Sequence, residues 1–469
     1  MKKFLLFVGA MVLVLAMTSP APAQFKSWGH MEIATGWISK PDFNTGLTTG
    51  GATYAEGSDL NYKRITQRYR FYLQYGDPKT VRAVIGFEAD SSNWGESAWS
   101  NTSTATDPNY SAAANPSGRM GVASTDQVQL ELKHAYLDFV IPNTPVSVSA
   151  GLQFYGIGGR LFQSRDLPGL IVTANFAPHK VMAYWWREKD SSFSNRVENV
   201  GNENDTTIFN YQVNDTYGLQ YQLTQKLYNV YAYFFYKNDL SNATYADHPW
   251  WIGLGGAYKL GNLDLSGQFI YMGGKRDYVA TNDVDYSGWV AELLARYQIG
   301  PGMFVAVEGY YSTGEDANTT DKQEKFAAAT GSETYWAFGN DRSVFYFYNG
   351  DFMYYFGKQL YNEGLWYARL NFEYAPLPWL NLLFNYLYIG DTSKGDAGRA
   401  GINSPRYATT LKDESYVGQE LNLIAKIKIY DPLVYNIGFG YFFPGDVYKT
   451  ATKNPDNAWA LLTCLKYVF

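Results

Sequence analysis

Apolar and polar residues alternate with a period of two along most of the chain. The segments TVRAVIGFEAD (80–90), VSVSAGLQFY (146–155), TYGLQYQL (216–223) and VGQELNLIAKIKIY (417–430) each carry apolar residues at every second position. Successive side chains of an extended strand point to opposite faces, so this pattern predicts strands with one apolar and one polar face.

The connections between these segments alternate in length. Short turns such as GDPK (76–79), PNTP (142–145) and APLP (375–378) alternate with long polar loops at 91–126, 190–214, 314–361 and 390–415. Outer-membrane barrels have short periplasmic turns and extended external loops. The sequence therefore predicts an all-β fold: a transmembrane antiparallel up-and-down β-barrel with short periplasmic turns and long external loops.

Eighteen strand-like segments are found between residues 25 and 469. The number falls to sixteen if 168–177 and 180–189 are not strands. The segment VFYFYNGDFMYYF (344–356) has the Asn-Gly centre of a hairpin; it is placed inside the longest loop, but in the wall it would add two strands. A barrel of sixteen to eighteen strands leaves an aqueous channel.

The first residues have the features of an export signal. Lys2 and Lys3 precede an apolar run over residues 4–16, and APA (21–23) supplies the small residues of a cleavage site. We expect residues 1–23 to be a signal peptide and 24–469 to form a single transmembrane barrel domain in the cell outer membrane. A retained signal anchor is the alternative.

Composition excludes two other classes of protein. Cys464 is the single cysteine, which excludes a domain held together by internal disulfides. Without Lys2 and Lys3 the chain has 36 basic and 44 acidic residues, a net charge of about −8, so no nucleic-acid partner is predicted.

Aromatic residues make up 17% of the sequence, and many lie near predicted strand ends, where membrane interfaces favour them.

The segment RITQRYRFYLQYG (64–76) interleaves arginines with aromatics. Arg64, Arg68 and Arg70 are even-numbered, whereas the residues on the opposite face are odd: Tyr69, Phe71, Leu73 and Tyr75. Facing lipid would cost each arginine roughly 2–4 kcal/mol near the midplane, so the arginines are predicted to line the pore. The same parity adds Arg82, Glu88, Asp90 and Glu32, and the loop residue Asp166 completes the predicted pore-lining set. In the alternative, the arginines neutralise these carboxylates within the barrel wall.

The sequence ends with LLTCLKYVF. Phe469, Tyr467 and Leu465 share one face of this final predicted strand. A terminal aromatic in phase with alternating apolar residues resembles the signal that the barrel assembly machinery recognises, and we expect these residues to serve that role.

One region resembles a known family. VQLELKHAYLDFVIPNTPVSVSAGLQ (128–153), the block from RYRFYLQYG to GFEAD, and a loop with Trp94 and Trp99 are similar to the outer-membrane homotrimeric porins of sulfate-reducing and related Gram-negative bacteria. The resemblance is clearest over residues 60–190. It implies a trimer of water-filled barrels that passes small hydrophilic solutes and ions, in contact with outer-membrane lipid and lipopolysaccharide.

The predicted function is passive diffusion through a porin. A channel selective for sugars or organic anions is the alternative, with Tyr72, Tyr155, Trp186 and Tyr233 as candidate lumenal rings. A barrel enzyme is disfavoured because His30, His134, His179 and His248 show no metal-ligand spacing. The acidic loop 314–324 is interpreted as a solvated loop, with calcium binding as the alternative. No cofactor and no metal are predicted.

Overall fold

The computed structural model describes residues 25–40, 43, 48–49, 52–53, 61–94, 130–190, 213–242, 245–278, 282–316, 318–329, 342–347, 364–394, 415–449 and 453–469. The predicted signal peptide, 1–23, lies outside these residues. Eighteen long strands among them form a wall. They are β1 (Lys26–Ser39), β2 (Asn61–Asp77), β3 (Val81–Asn93), β4 (Glu131–Val140), β5 (Val146–Ile157), β6 (Gln163–Phe176), β7 (His179–Asp190), β8 (Val213–Thr224), β9 (Tyr228–Asp239), β10 (Tyr245–Leu260), β11 (Leu263–Tyr278), β12 (Gly288–Gly300), β13 (Met303–Ser312), β14 (Leu365–Leu377), β15 (Leu380–Asp391), β16 (Tyr416–Tyr430), β17 (Leu433–Pro444) and β18 (Ala458–Val468).

The wall closes on itself. Each strand pairs antiparallel with its sequence neighbours, and β1 pairs with both β2 and β18. The seam between β1 and β18 runs from His30 opposite Val468 to Ser39 opposite Trp459. The predicted barrel of eighteen strands is confirmed. The sixteen-strand alternative is wrong, because 168–177 lies in β6 except for its last residue and 180–189 lies within β7.

Side chains alternate across the wall as the sequence pattern predicts. In β1, the even positions from Glu32 to Ile38 are buried and the odd positions between them are partly exposed. The outer face carries exposed apolar residues, which include Leu219, Phe234, Ile252, Leu254, Phe269, Leu293, Val307, Leu370, Phe384 and Leu423. Such an apolar band is the surface that a barrel presents to hydrocarbon.

Connection length divides the barrel into two ends. The turns at one end, such as 141–145 and 261–262, are no longer than five residues. At the other end the connections include 313–364 and 392–415, although 158–162 and 240–244 are short. We call these the short-turn end and the long-loop end.

Three segments at the long-loop end turn back into the barrel, one in the connection 158–162 and two in the connection 313–364. Phe162, Phe326 and Phe345 are each at most 1% exposed and belong to one apolar cluster with inward-facing wall residues. The hydrophobic core therefore lies inside the wall near the long-loop end. Val344–Phe347 do not form one of the eighteen wall strands, and Phe347 takes part in a single β-bridge. The rest of the predicted hairpin, 348–356, lies outside the described residues.

No helix in the described parts of the chain has the length and apolar character needed to span a membrane. Gly158–Arg160 and Asp446–Tyr448 are short 3₁₀ turns.

Candidate functional site

A ladder of ion pairs crosses the lumenal face of the first strands. Glu32 on β1 accepts from Arg68 on β2 at 2.8 Å and from Lys466 on β18 at 2.8 Å. Arg70 donates to Glu88 on β3 at 2.7 Å. These pairs form because β1 and β2 place Glu32 opposite Arg68, and β3 places Glu88 opposite Arg70.

The ladder continues around the wall. Lys133 on β4 lies 2.7 Å from Glu88 and 2.7 Å from Asp166 on β6. His134 contacts the same Asp166 carboxylate, with 2.9 Å between Nε2 and Oδ1. We call Lys466, Glu32, Arg68, Arg70, Glu88, Lys133, His134 and Asp166 the charge ladder. It includes five of the predicted pore-lining residues: Glu32, Arg68, Arg70, Glu88 and Asp166.

Burial divides the ladder into sealed and open parts. The side chains of Glu32, Arg68 and Glu88 are 2–3% exposed. Those of Arg70 and Asp166 are 19% and 21% exposed. The sealed groups hold neighbouring strands together, whereas the open groups face the lumen. The pore-lining and wall-network interpretations of the sequence both stay predictions.

The charge ladder as defined does not include the other three predicted pore-lining residues. Arg82 pairs with Asp138 on β4 at 2.9 Å, toward the short-turn end. Arg64 lies opposite Gly36, toward the long-loop end. Asp90 lies in β3, and its side chain is outside the described part of the chain.

Sequence reasoning missed Lys133, and the reason is local. The pairing of β3 with β4 shifts register between Gly86 and Phe87. Such an irregularity breaks strict alternation, so the consecutive residues Lys133 and His134 both reach Asp166. A period-two pattern assigns consecutive residues to opposite faces, and no signal in the sequence marks this shift.

Aromatic side chains lie beside the ladder, on its short-turn side. Trp28 stacks on Tyr72 with centroids 5.5 Å apart, and Tyr72 lies 5.2 Å from His134. Tyr136 meets His134 edge to face at 6.0 Å. We call Trp28, Tyr72, His134 and Tyr136 the aromatic row.

The other candidate lumenal rings are sealed instead. Tyr155, Trp186 and Tyr233 are at most 4% exposed. Phe162, from the inward-turning connection 158–162, packs on Tyr233 at 5.4 Å. These three rings serve as core beneath that connection.

A second inward segment, Arg342–Phe347, is held by carboxylates of the wall. Glu420 on β16 accepts from the backbone N–H groups of Val344, Phe345 and Tyr346 at 2.9, 2.8 and 3.1 Å. The Ser343 hydroxyl donates to the same carboxylate. We call this segment the lumenal strap.

Arg342 fixes the other end of the strap. Its guanidinium lies 2.6 Å from Glu292 on β12 and 2.6 Å from Glu308 on β13. Burial opposes the charge on Arg342, but Tyr367 and the two carboxylates outweigh burial and raise its pKa above the ordinary value. The strap is therefore tied at both ends to the inner wall.

The predicted assembly residues lie on the outer face of the seam. Phe469 stacks within 6.3 Å of Tyr69, Phe71 and Tyr467. Its backbone exchanges two hydrogen bonds with Gly29. Tyr467 is 45% exposed, and Leu465 lies opposite Ile33 on the same face of β18. The terminal ring thus bridges the last strand to the first two.

No group of three or more His, Cys, Asp or Glu side chains in the described ranges is arranged to hold a metal. In the loop 314–324, Asp316 instead accepts from the backbone and side-chain N–H groups of Asn318.

Comparisons with known proteins identify the fold. No protein-family model matches the chain, and no curated protein matches its sequence. Among solved structures, the outer membrane protein OpdK from Pseudomonas aeruginosa has 9% identity and a TM-score of 0.51, over 95% of this chain and 99% of that one. OccAB4 of Acinetobacter baumannii has 11% identity and a TM-score of 0.51, over 96% and 100%. OccD3 (OpdP) of P. aeruginosa has 10% identity and a TM-score of 0.50, over 94% and 91%. At these identities the similarity shows the fold alone, and the chain shares the barrel fold of these proteins.

Proposed function

We propose that this protein is an outer-membrane porin that lets small hydrophilic solutes and ions diffuse passively through its barrel. The observation that carries this proposal is a closed eighteen-strand wall with an apolar outer face and partly exposed charged groups inside. A barrel of this size encloses more space than wall side chains fill. The lumenal strap and the other inward-turning segments then act as the constriction that sets the size limit.

Planar-bilayer recording tests the proposal. Purified, folded protein should produce stepwise ion currents, and the reversal potential in a salt gradient should give the ion selectivity. Folded protein that inserts and yields no conductance steps would contradict it. Wild-type currents also provide the baseline for every variant described below.

We further propose a homotrimer, on the basis of the family resemblance over residues 60–190. Exposed apolar residues on the outer face supply surface both for neighbouring subunits and for lipid and lipopolysaccharide. Light scattering corrected for bound detergent should give three times the mass of one mature chain. A monomeric mass would contradict this proposal and leave the channel function intact.

A channel selective for sugars or organic anions is the second candidate function. The aromatic row favours it, because its rings lie in the lumen and are flanked by ionic side chains.

A further inference from the structure

The aromatic row crosses four neighbouring strands at one level of the lumen. Trp28 lies opposite Tyr72, Tyr72 opposite Gly86, and Gly86 opposite His134. A Cβ atom on Gly86 would lie 2.6 Å from Cδ1 of Tyr72. The missing side chain therefore lets the Tyr72 ring extend over β3 and reach His134, which makes the row continuous.

The row remains accessible from the lumen. Trp28 is 38% exposed, and the other three members are only partly buried. The sealed rings Tyr155 and Trp186 differ, since they are at most 1% exposed beneath an inward connection. A solute in the short-turn half of the barrel can thus contact the row.

Paired ions flank the row on both sides. Toward the long-loop end, Arg70 is held by Glu88 at 2.7 Å. Toward the short-turn end, Arg82 is held by Asp138 at 2.9 Å and donates to Gln74 at 3.1 Å. These groups still offer donors and acceptors to a ligand, but each cation already has a carboxylate partner. The flanks therefore favour hydrogen bonding over the capture of a charge.

The geometry points to a binding site for the rings of neutral sugars, formed by the aromatic row with Arg70, Arg82 and Gln74. A pyranose has apolar C–H faces that pack on aromatic rings and hydroxyl groups around its edge that donate and accept hydrogen bonds. An organic anion would instead require a cation that no carboxylate holds. This inference rests on the proposed channel function and names the solute class that the channel binds on its way through.

Current block by maltotriose tests the site in planar bilayers. We expect maltotriose to reduce the wild-type ion current in a concentration-dependent way. In Trp28→Ala, loss of the most exposed ring should raise the half-blocking concentration about tenfold, the effect of about 1.4 kcal/mol. Trp459→Ala is the matched control, because Trp459 is 37% exposed but lies on the outer face. Its half-blocking concentration should equal that of the wild type.

A second measurement needs only the wild-type channel. Maltotriose should block more strongly than a polyethylene glycol of similar hydrodynamic size, which has no sugar face. Equal block by the two solutes, or the same half-blocking concentration in Trp28→Ala and the wild type, would overturn the site. Stronger block by benzoate than by maltotriose would assign the row to organic anions and overturn the sugar inference. Channels that conduct ions without any sugar block would overturn the inference alone, whereas absence of conductance would overturn the proposed function as well.

Discussion

Replacing Glu420 with alanine should release the Ser343–Tyr346 part of the lumenal strap from the inner wall, while Arg342 keeps its ion pairs with Glu292 and Glu308. The carboxylate accepts from three buried backbone N–H groups and from the Ser343 hydroxyl. Val344 and Tyr346 keep second acceptors in Asn422 and Ser343, but Phe345 has no such second acceptor among its described bonds. Hydrogen bonds to a charged group are worth about 1.5–3 kcal/mol each, and removal of the carboxylate also removes the cost of burying it. The net loss should be about 3 kcal/mol, which shifts the strap toward release by about a hundredfold.

Single-channel recording should detect this release. We expect the open-channel conductance of Glu420→Ala to differ from the wild type, with more current noise as the strap exchanges between positions. Glu373→Ala is the control, because Glu373 is also a lumenal carboxylate but bonds Arg296 and Asn381 near the short-turn end. It should keep wild-type noise. If folded Glu420→Ala channels match the wild type in conductance and noise, the strap either stays in place without Glu420 or lies outside the conduction path, and the reasoning fails.

The other predictions concern assembly, stability and selectivity. Deletion of Phe469 should lower the yield of heat-modifiable, folded barrel in the outer membrane, since the ring and backbone of this residue close the seam on Gly29. A wild-type yield of folded barrel would contradict this prediction. Arg68→Gln should lower the unfolding temperature more than Arg82→Gln. Arg68 is 2% exposed, and its loss leaves a buried carboxylate short of a partner, which costs about 3–5 kcal/mol of folding free energy. Equal decreases in unfolding temperature would refute the sealed half of the ladder. The double replacement of Arg70 and Arg82 by Gln removes two positive charges and should move the reversal potential toward cation preference, most clearly at low salt where screening is weak. An unchanged reversal potential across a tenfold salt gradient would place both side chains outside the conduction path.

The sequence by itself determined the wall of the barrel. Strand position and the choice of outward face depend on which residues alternate within about ten positions, and that information is local. The structure decided between sixteen and eighteen strands. The parity of Arg68 and Arg70 placed both inside, because the opposite choice would put guanidinium groups into hydrocarbon. The parity of Phe469 and Tyr467 placed both on the outer face for the same reason.

Only the tertiary structure decided what fills and lines the lumen. The strap enters the barrel because Glu420, more than seventy residues farther along the chain, offers a carboxylate to its backbone, and no local pattern links the two segments. The aromatic row exists because the registers of four strands bring Trp28, Tyr72 and His134 to one level. Register depends on turn geometry and on irregularities such as the shift beside Gly86. Alternation specifies the face of the wall on which each side chain lies. The lumenal neighbours of that side chain depend on contacts between residues distant in sequence.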